Sequence, residues 1–128
     1  MRTNLQDTGT TVMIVDDTTF SRELLRKILG KWGYTVVAEA TDGVEAVTKY
    51  CQFHPSITFM DLIMPNKNGI DATKDIVTFD ENAKVIMCSM SEHDSLVKAA
   101  REAGAIGIIF KPFRAEQVME VLDLAMEM

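Results

Sequence analysis

The sequence predicts an α/β domain built on a doubly wound, five-stranded parallel sheet with five helices on its faces. Short apolar runs recur along the chain and alternate with amphipathic stretches of helical period. Most of the runs are too continuous for half-exposed strands and suit strands covered on both sides. Residues able to do chemistry stand where several of those runs stop: Asp16-Asp17, Asp61, Ser89 and Lys111.

The runs occupy residues 12–15, 36–38, 57–60, 85–88 and 106–110. Ahead of the second, Phe20, Leu24, Leu25, Ile28, Leu29 and Trp32 follow the spacing of one apolar helix face. A second helix is expected over 43–53 with Asp42 as its cap, and a third over 70–79. The fourth, over 94–103, stops at Gly104, a residue that readily takes the left-handed conformation of a helix end. The last, over 115–126, presents Val118, Val121, Leu122 and Ala125 on one side. Five strand-then-helix units imply right-handed crossovers, and in such sheets ligands bind beyond the carboxyl ends of the strands.

A chain of 128 residues suits one compact domain. With 47% hydrophobic and 25% charged residues it has the ordinary globular mix. Residues 1–10 read as a flexible tail and 11–128 as the domain. The opening segment is polar and lacks a secretory signal, and no apolar run approaches the roughly 20 residues that span a bilayer. A cytoplasmic protein is therefore expected, without a membrane partner. The net charge of −6, from 13 basic and 19 acidic residues, disfavours nucleic acid as a partner. Cys51 and Cys88 show no metal-type spacing and are expected as reduced thiols, Cys88 in the core. The nine methionines and Trp32 read as packing, and His54 and His93 as surface residues.

Parallel strands would bring Asp16, Asp17, Asp61, Ser89 and Lys111 to one rim. Three carboxylates there repel one another by several kcal/mol in a partly buried site. A divalent cation and the Lys111 ammonium are the natural counter-charges. Oxygen ligands without His or Cys suit a hard cation, and few protein ligands favour Mg²⁺ over Ca²⁺. Helix capping accounts for one Asp ahead of a helix; it leaves the adjacent pair and the third carboxylate unexplained. No glycine-rich phosphate loop follows the first strand, which speaks against a Rossmann or P-loop function.

Together these marks resemble the receiver domains of bacterial two-component response regulators, with stand-alone regulators of the CheY type as the nearest likeness. The residues that carry it are Asp16-Asp17, Met60-Asp61, Met64-Pro65, Gly69, Ser89 and Lys111-Pro112-Phe113. The resemblance implies a flavodoxin-like sheet of order 2-1-3-4-5. It implies Asp61 as phosphoacceptor, taking its phosphoryl group from a histidine kinase. Mg²⁺ would be held directly by Asp17, Asp61 and the backbone carbonyl of Ile63, with Asp16 acting through water. Ser89 and Lys111 would bind phosphoryl oxygens, and the Lys111-Pro112 bond would be cis. The chain would act as a signalling switch, with only weak self-phosphorylation and autodephosphorylation, and not as an enzyme. Its further partners would be a flagellar motor switch protein or another downstream target, and a phosphatase; the chain itself is expected to be monomeric. The output face would lie around residues 91–126, with Asp94, Lys98, Arg101 and Glu102 as its polar part.

Two positions depart from the family pattern. Ile108 stands where an aromatic switch residue is usual, and Ile63 where a polar residue near the attacking water is frequent. An apolar side chain at Ile63 is expected to shield the acyl phosphate. Two alternatives remain beside chemotaxis output: a phosphorelay intermediate, and an Mg²⁺-dependent phosphatase of the haloacid-dehalogenase type. A third, a phosphorylation-independent module on the same fold, would leave the clustered carboxylates without purpose.

Overall fold

A computed structural model describes residues 8–90 and 92–128. Five strands and five helices alternate: β1 (Thr11–Val15), α1 (Thr19–Lys31), β2 (Thr35–Ala40), α2 (Gly43–Phe53), β3 (Ile57–Asp61), α3 (Gly69–Phe79), β4 (Val85–Ser89), α4 (Asp94–Ala103), β5 (Gly107–Phe110) and α5 (Ala115–Met126). The strands form one parallel sheet in the order β2-β1-β3-β4-β5, as expected. Residues 1–7 of the expected tail, and Ser91, lie outside the described residues. The remainder of that tail touches the domain: Thr8 donates its N–H to Gly33 O at 2.9 Å, and Thr10 O accepts from Thr35 N at 3.1 Å.

Side chains alternate across a strand, so each strand feeds two cores. Met13, Val15, Met60 and Met87 point to the side covered by Ala46 and Tyr50 of α2, Ala72 and Ile76 of α3, and Ala100 of α4. Val12, Ile14, Phe59, Ile86 and Cys88 point to the other side, under Leu25 and Leu29 of α1 and Val118 and Leu122 of α5. This two-sided burial is why the strands read as unbroken apolar runs.

The helix ends follow from local chemistry. Asp42 caps α2 by accepting from Glu45 N at 2.8 Å, and Asn68 caps α3 by accepting from Asp71 N at 2.9 Å. Gly104 closes α4 at φ 114°, where a Cβ would be strained. Cys88 is buried as expected, Cys51 exposed. His54 and His93 are both exposed.

Two expectations need correction. Phe20 does not share the buried face of α1: it is 73% exposed. Nine residues at 3.6 per turn put it half a turn away from Leu29, so the apolar stripe begins one turn later. The methionines also divide. Met13, Met60, Met64 and Met87 pack the core, whereas Met90, Met126 and Met128 are exposed.

Candidate functional site

The parallel register sets the site. Asp61 is the last residue of the central strand β3 and pairs with Cys88, while Ser89 ends β4 and pairs with Phe110. Val15 pairs with Met60, so Asp16 comes level with Asp61 one step further on. Backbone bonds carry the ladder past the strand ends: Leu62 N to Cys88 O at 3.0 Å, and Lys111 N to Ser89 O at 2.8 Å. The Lys111-Pro112 peptide is cis. All five expected side chains therefore reach one rim.

Within that rim, one carboxylate oxygen each from Asp16, Asp17 and Asp61 lies within 4.8 Å of the others. Asp16 and Asp61 are buried; Asp17 is exposed. Lys111 Nζ is 2.6 Å from Asp16 Oδ2 and 3.5 Å from Asp61 Oδ1. A cleft of about 280 Å³ opens here, with Asp17, Asp61, Ser89 and Lys111 on its polar side and Leu62, Ile63, Met90 and Leu96 on its apolar side. A larger groove of about 460 Å³ runs past Trp32 and Met119, but among the described residues no metal-ligating cluster lines it.

The electrostatics favour a cation. Burial, then the charge of Asp16, pushes the Asp61 carboxyl up to about 6, against the pull of Lys111. Burial pulls the Lys111 ammonium down, but its bond to Asp16 and the two carboxylate charges outweigh this and raise it. Three carboxylates facing one ammonium leave an excess of negative charge. Hard oxygen donors with unneutralised charge fit Mg²⁺, with Asp16, Asp17 and Asp61 as the residues that would hold it.

The loop after β3 is tied on both sides. Gly69 N donates to Leu62 O at 2.9 Å, and Gly43 N to Lys67 O at 2.9 Å. Asn66, at φ 66°, donates its side-chain amide to Asp42 Oδ2 at 2.7 Å. Gly69 permits a close approach: a Cβ there would stand 2.0 Å from the backbone oxygen of Asp61. Between these ties Ile63 turns its side chain outward, 75% exposed. Ile108 is partly buried and packs with Leu96 and Ala105 against the core. Asp94, Lys98, Arg101 and Glu102 are all exposed on α4.

Sequence reasoning passed over Arg22, whose Nη1 donates to the backbone oxygen of Asp16 at 2.7 Å and whose Nε pairs with Glu39 at 3.3 Å. Its signal was a charged residue at the edge of the apolar stripe of α1, only three positions from Leu25. The Asp42–Asn66 tie was also missed, because nothing in the spacing of two loops announces their contact.

This strand order and this acidic rim are those that the resemblance to receiver domains implies, and the comparison with known families agrees. Residues 12–123 match the response regulator receiver domain, and the chain is a member of that family. It is 48% identical over 115 residues to the chemotaxis protein CheY of Thermotoga maritima, covering 90% of this chain and 96% of that one. To CheY of Bacillus subtilis it is 44% identical over 112 residues, covering 88% and 93%. A solved CheX–CheY–BeF3–Mg complex from Borrelia burgdorferi contains a chain that superposes with TM-score 0.86 at 36% identity, over 90% of this chain and 88% of that one. Among the described residues no helix is long and apolar enough to cross a membrane.

Proposed function

We propose that the chain is a chemotaxis-type response regulator that takes a phosphoryl group from a histidine kinase onto Asp61. The observation that carries this is the placement of Asp61: a carboxylate only 7% exposed, at the floor of a cleft, with two further carboxylates and an ammonium around it. Lys111, at 3.5 Å, offsets its charge only in part, and the carboxylate faces an opening large enough for a phosphoryl group.

In the transfer, an Asp61 carboxylate oxygen forms a bond to phosphorus as the bond from phosphorus to the donor imidazole nitrogen breaks. The imidazole nitrogen keeps the bonding pair, and the product on Asp61 is an acyl phosphate. Asp17, Asp61 and the Ile63 carbonyl, with Asp16 acting through water, would hold Mg²⁺, which would supply positive charge for the phosphoryl oxygens. Lys111 exchanges part of its contact with Asp16 for a phosphoryl oxygen. Ser89 donates its hydroxyl to another. The protein's task is positioning and charge stabilisation.

The added charge of roughly −1.5 to −2 then draws the loop after β4 toward the site. Met90, 83% exposed on that loop, would follow, and α4 beyond it would shift in turn. Ile108 has no ring to turn inward, so the change travels as a shift of loop and helix, altering the face that carries Asp94, Lys98, Arg101 and Glu102. The downstream target, a motor switch component as the family resemblance implies, reads that face as a population shift. Family membership gives the haloacid-dehalogenase alternative no support.

The test is phosphotransfer from a prephosphorylated chemotaxis histidine kinase. Label should move to this chain and not to its Asp61→Asn variant. Label that stays on the kinase, or that moves equally to Asp61→Asn, would refute the proposal.

A further inference from the structure

We propose that Arg22 is a positioning residue for the acidic pair, clamping the turn after β1 so that Asp16 and Asp17 present a preformed cation site. The inference rests on the cation site described above. Asp16 is held by every polar group it has. Its N–H donates to Ala40 O at 3.0 Å, its Oδ1 accepts from Thr18 N at 2.8 Å, and its Oδ2 takes Lys111 Nζ at 2.6 Å. The last group, its backbone carbonyl, accepts from Arg22 Nη1 at 2.7 Å.

Arg22 is itself fixed from the far side. Its Nε pairs with Glu39 Oε1 at 3.3 Å, and its side chain is only 17% exposed. Arg26 Nε approaches the other Glu39 oxygen at 3.5 Å, but makes no bond to Asp16. A guanidinium can bridge a carbonyl and a carboxylate at once because its donors form a rigid planar fork. Glu39 on β2 thus aims Arg22, and Arg22 pins the link between Asp16 and the exposed Asp17. Partners of this kind commonly change metal affinity 10–100-fold when removed.

Charge and position predict opposite signs, which makes the idea testable. Arg22 is a cation near a cation site, so by charge alone its removal should tighten Mg²⁺ binding. If it acts by positioning, removal should loosen it.

The experiment is Mg²⁺ titration by calorimetry on the phosphate-free chain, for wild type, Arg22→Met, Arg22→Lys, Arg26→Met and Glu39→Gln. Circular dichroism and a thermal melt in EDTA report folding for each. We expect Kd for Mg²⁺ to rise about tenfold or more in Arg22→Met. It should rise by a smaller factor in Glu39→Gln, and not at all in Arg26→Met. Should Arg22→Met fail to fold, Arg22→Lys decides, since it keeps the charge and loses the planar fork: weaker binding supports the proposal and unchanged binding overturns it. Equal or tighter binding in a folded Arg22→Met overturns it directly. A wild-type chain that binds no Mg²⁺ would instead overturn the cation site on which the inference rests.

Discussion

Lys111 Nζ lies 2.6 Å from Asp16 Oδ2, yet 3.5 Å from Asp61 Oδ1. The ammonium therefore leans on the carboxylate that caps the rim and leaves the one in the cleft less fully neutralised. Burial, then the charge of Asp16, pushes the Asp61 carboxyl up to about 6, and the more distant ammonium does not offset them. Removing Lys111 would leave two nearly buried carboxylates facing each other. Lys111→Met should destabilise the chain by about 2–4 kcal/mol at pH 7, read from urea unfolding, and by much less at pH 4.5.

Asp61→Asn should have the opposite effect. The folded-state pKa of Asp61, about 6, lies above its ordinary value of 3.8. Between those values the folded state binds more protons than the unfolded one, so stability falls as pH rises through the window. Above it, the ionised Asp61 remains a cost. Replacing it with the neutral amide should stabilise the chain by about 1–2 kcal/mol at pH 7, a gain that disappears near pH 4. Denaturant melts at the two pH values check this.

The same proton competes with the metal. Mg²⁺ binding should be nearly independent of pH above 7 and weaken about tenfold by pH 5, because Asp61 must first be deprotonated. Calorimetric titration at both pH values reads the difference.

Gly69→Ala tests the backbone that holds Asp61 in place. A methyl group 2.0 Å from the Asp61 carbonyl oxygen cannot be accommodated by a side-chain rotation, since the obstacle is main chain. A loss of at least about 3 kcal/mol in unfolding free energy is expected.

Ile63→Asn should shorten the lifetime of the phosphorylated form. Ile63 projects at the mouth of the cleft as an apolar cover, where an amide could orient the attacking water. The decay rate after removal of the phosphodonor is the readout, and faster loss of label is expected.

Much of the fold was legible because burial on both faces writes itself as unbroken apolar runs. The strand β2 was harder. It was expected over 36–38 but extends from Thr35 to Ala40. It lies at the sheet edge, is polar at Thr35 and Glu39, and its register against β1 slips between Val12 and Met13. A bulge of that kind breaks the period that pattern reading depends on. The acidic rim was legible because strand ends and topology together decide where Asp16, Asp17, Asp61, Ser89 and Lys111 converge. Arg22 and Glu39 were not, since their partnership joins α1 to β2 through side-chain reach, which no spacing rule encodes. Phe20 misled for a related reason: apolarity at the first turn of a helix does not say which way the turn faces.

Incubation with acetyl phosphate and Mg²⁺, followed by intact-mass measurement, tests the central claim most directly. The chain should gain one phosphoryl group, and the gain should vanish in Asp61→Asn and in EDTA. No gain by the wild-type chain, or an equal gain by Asp61→Asn, would contradict it.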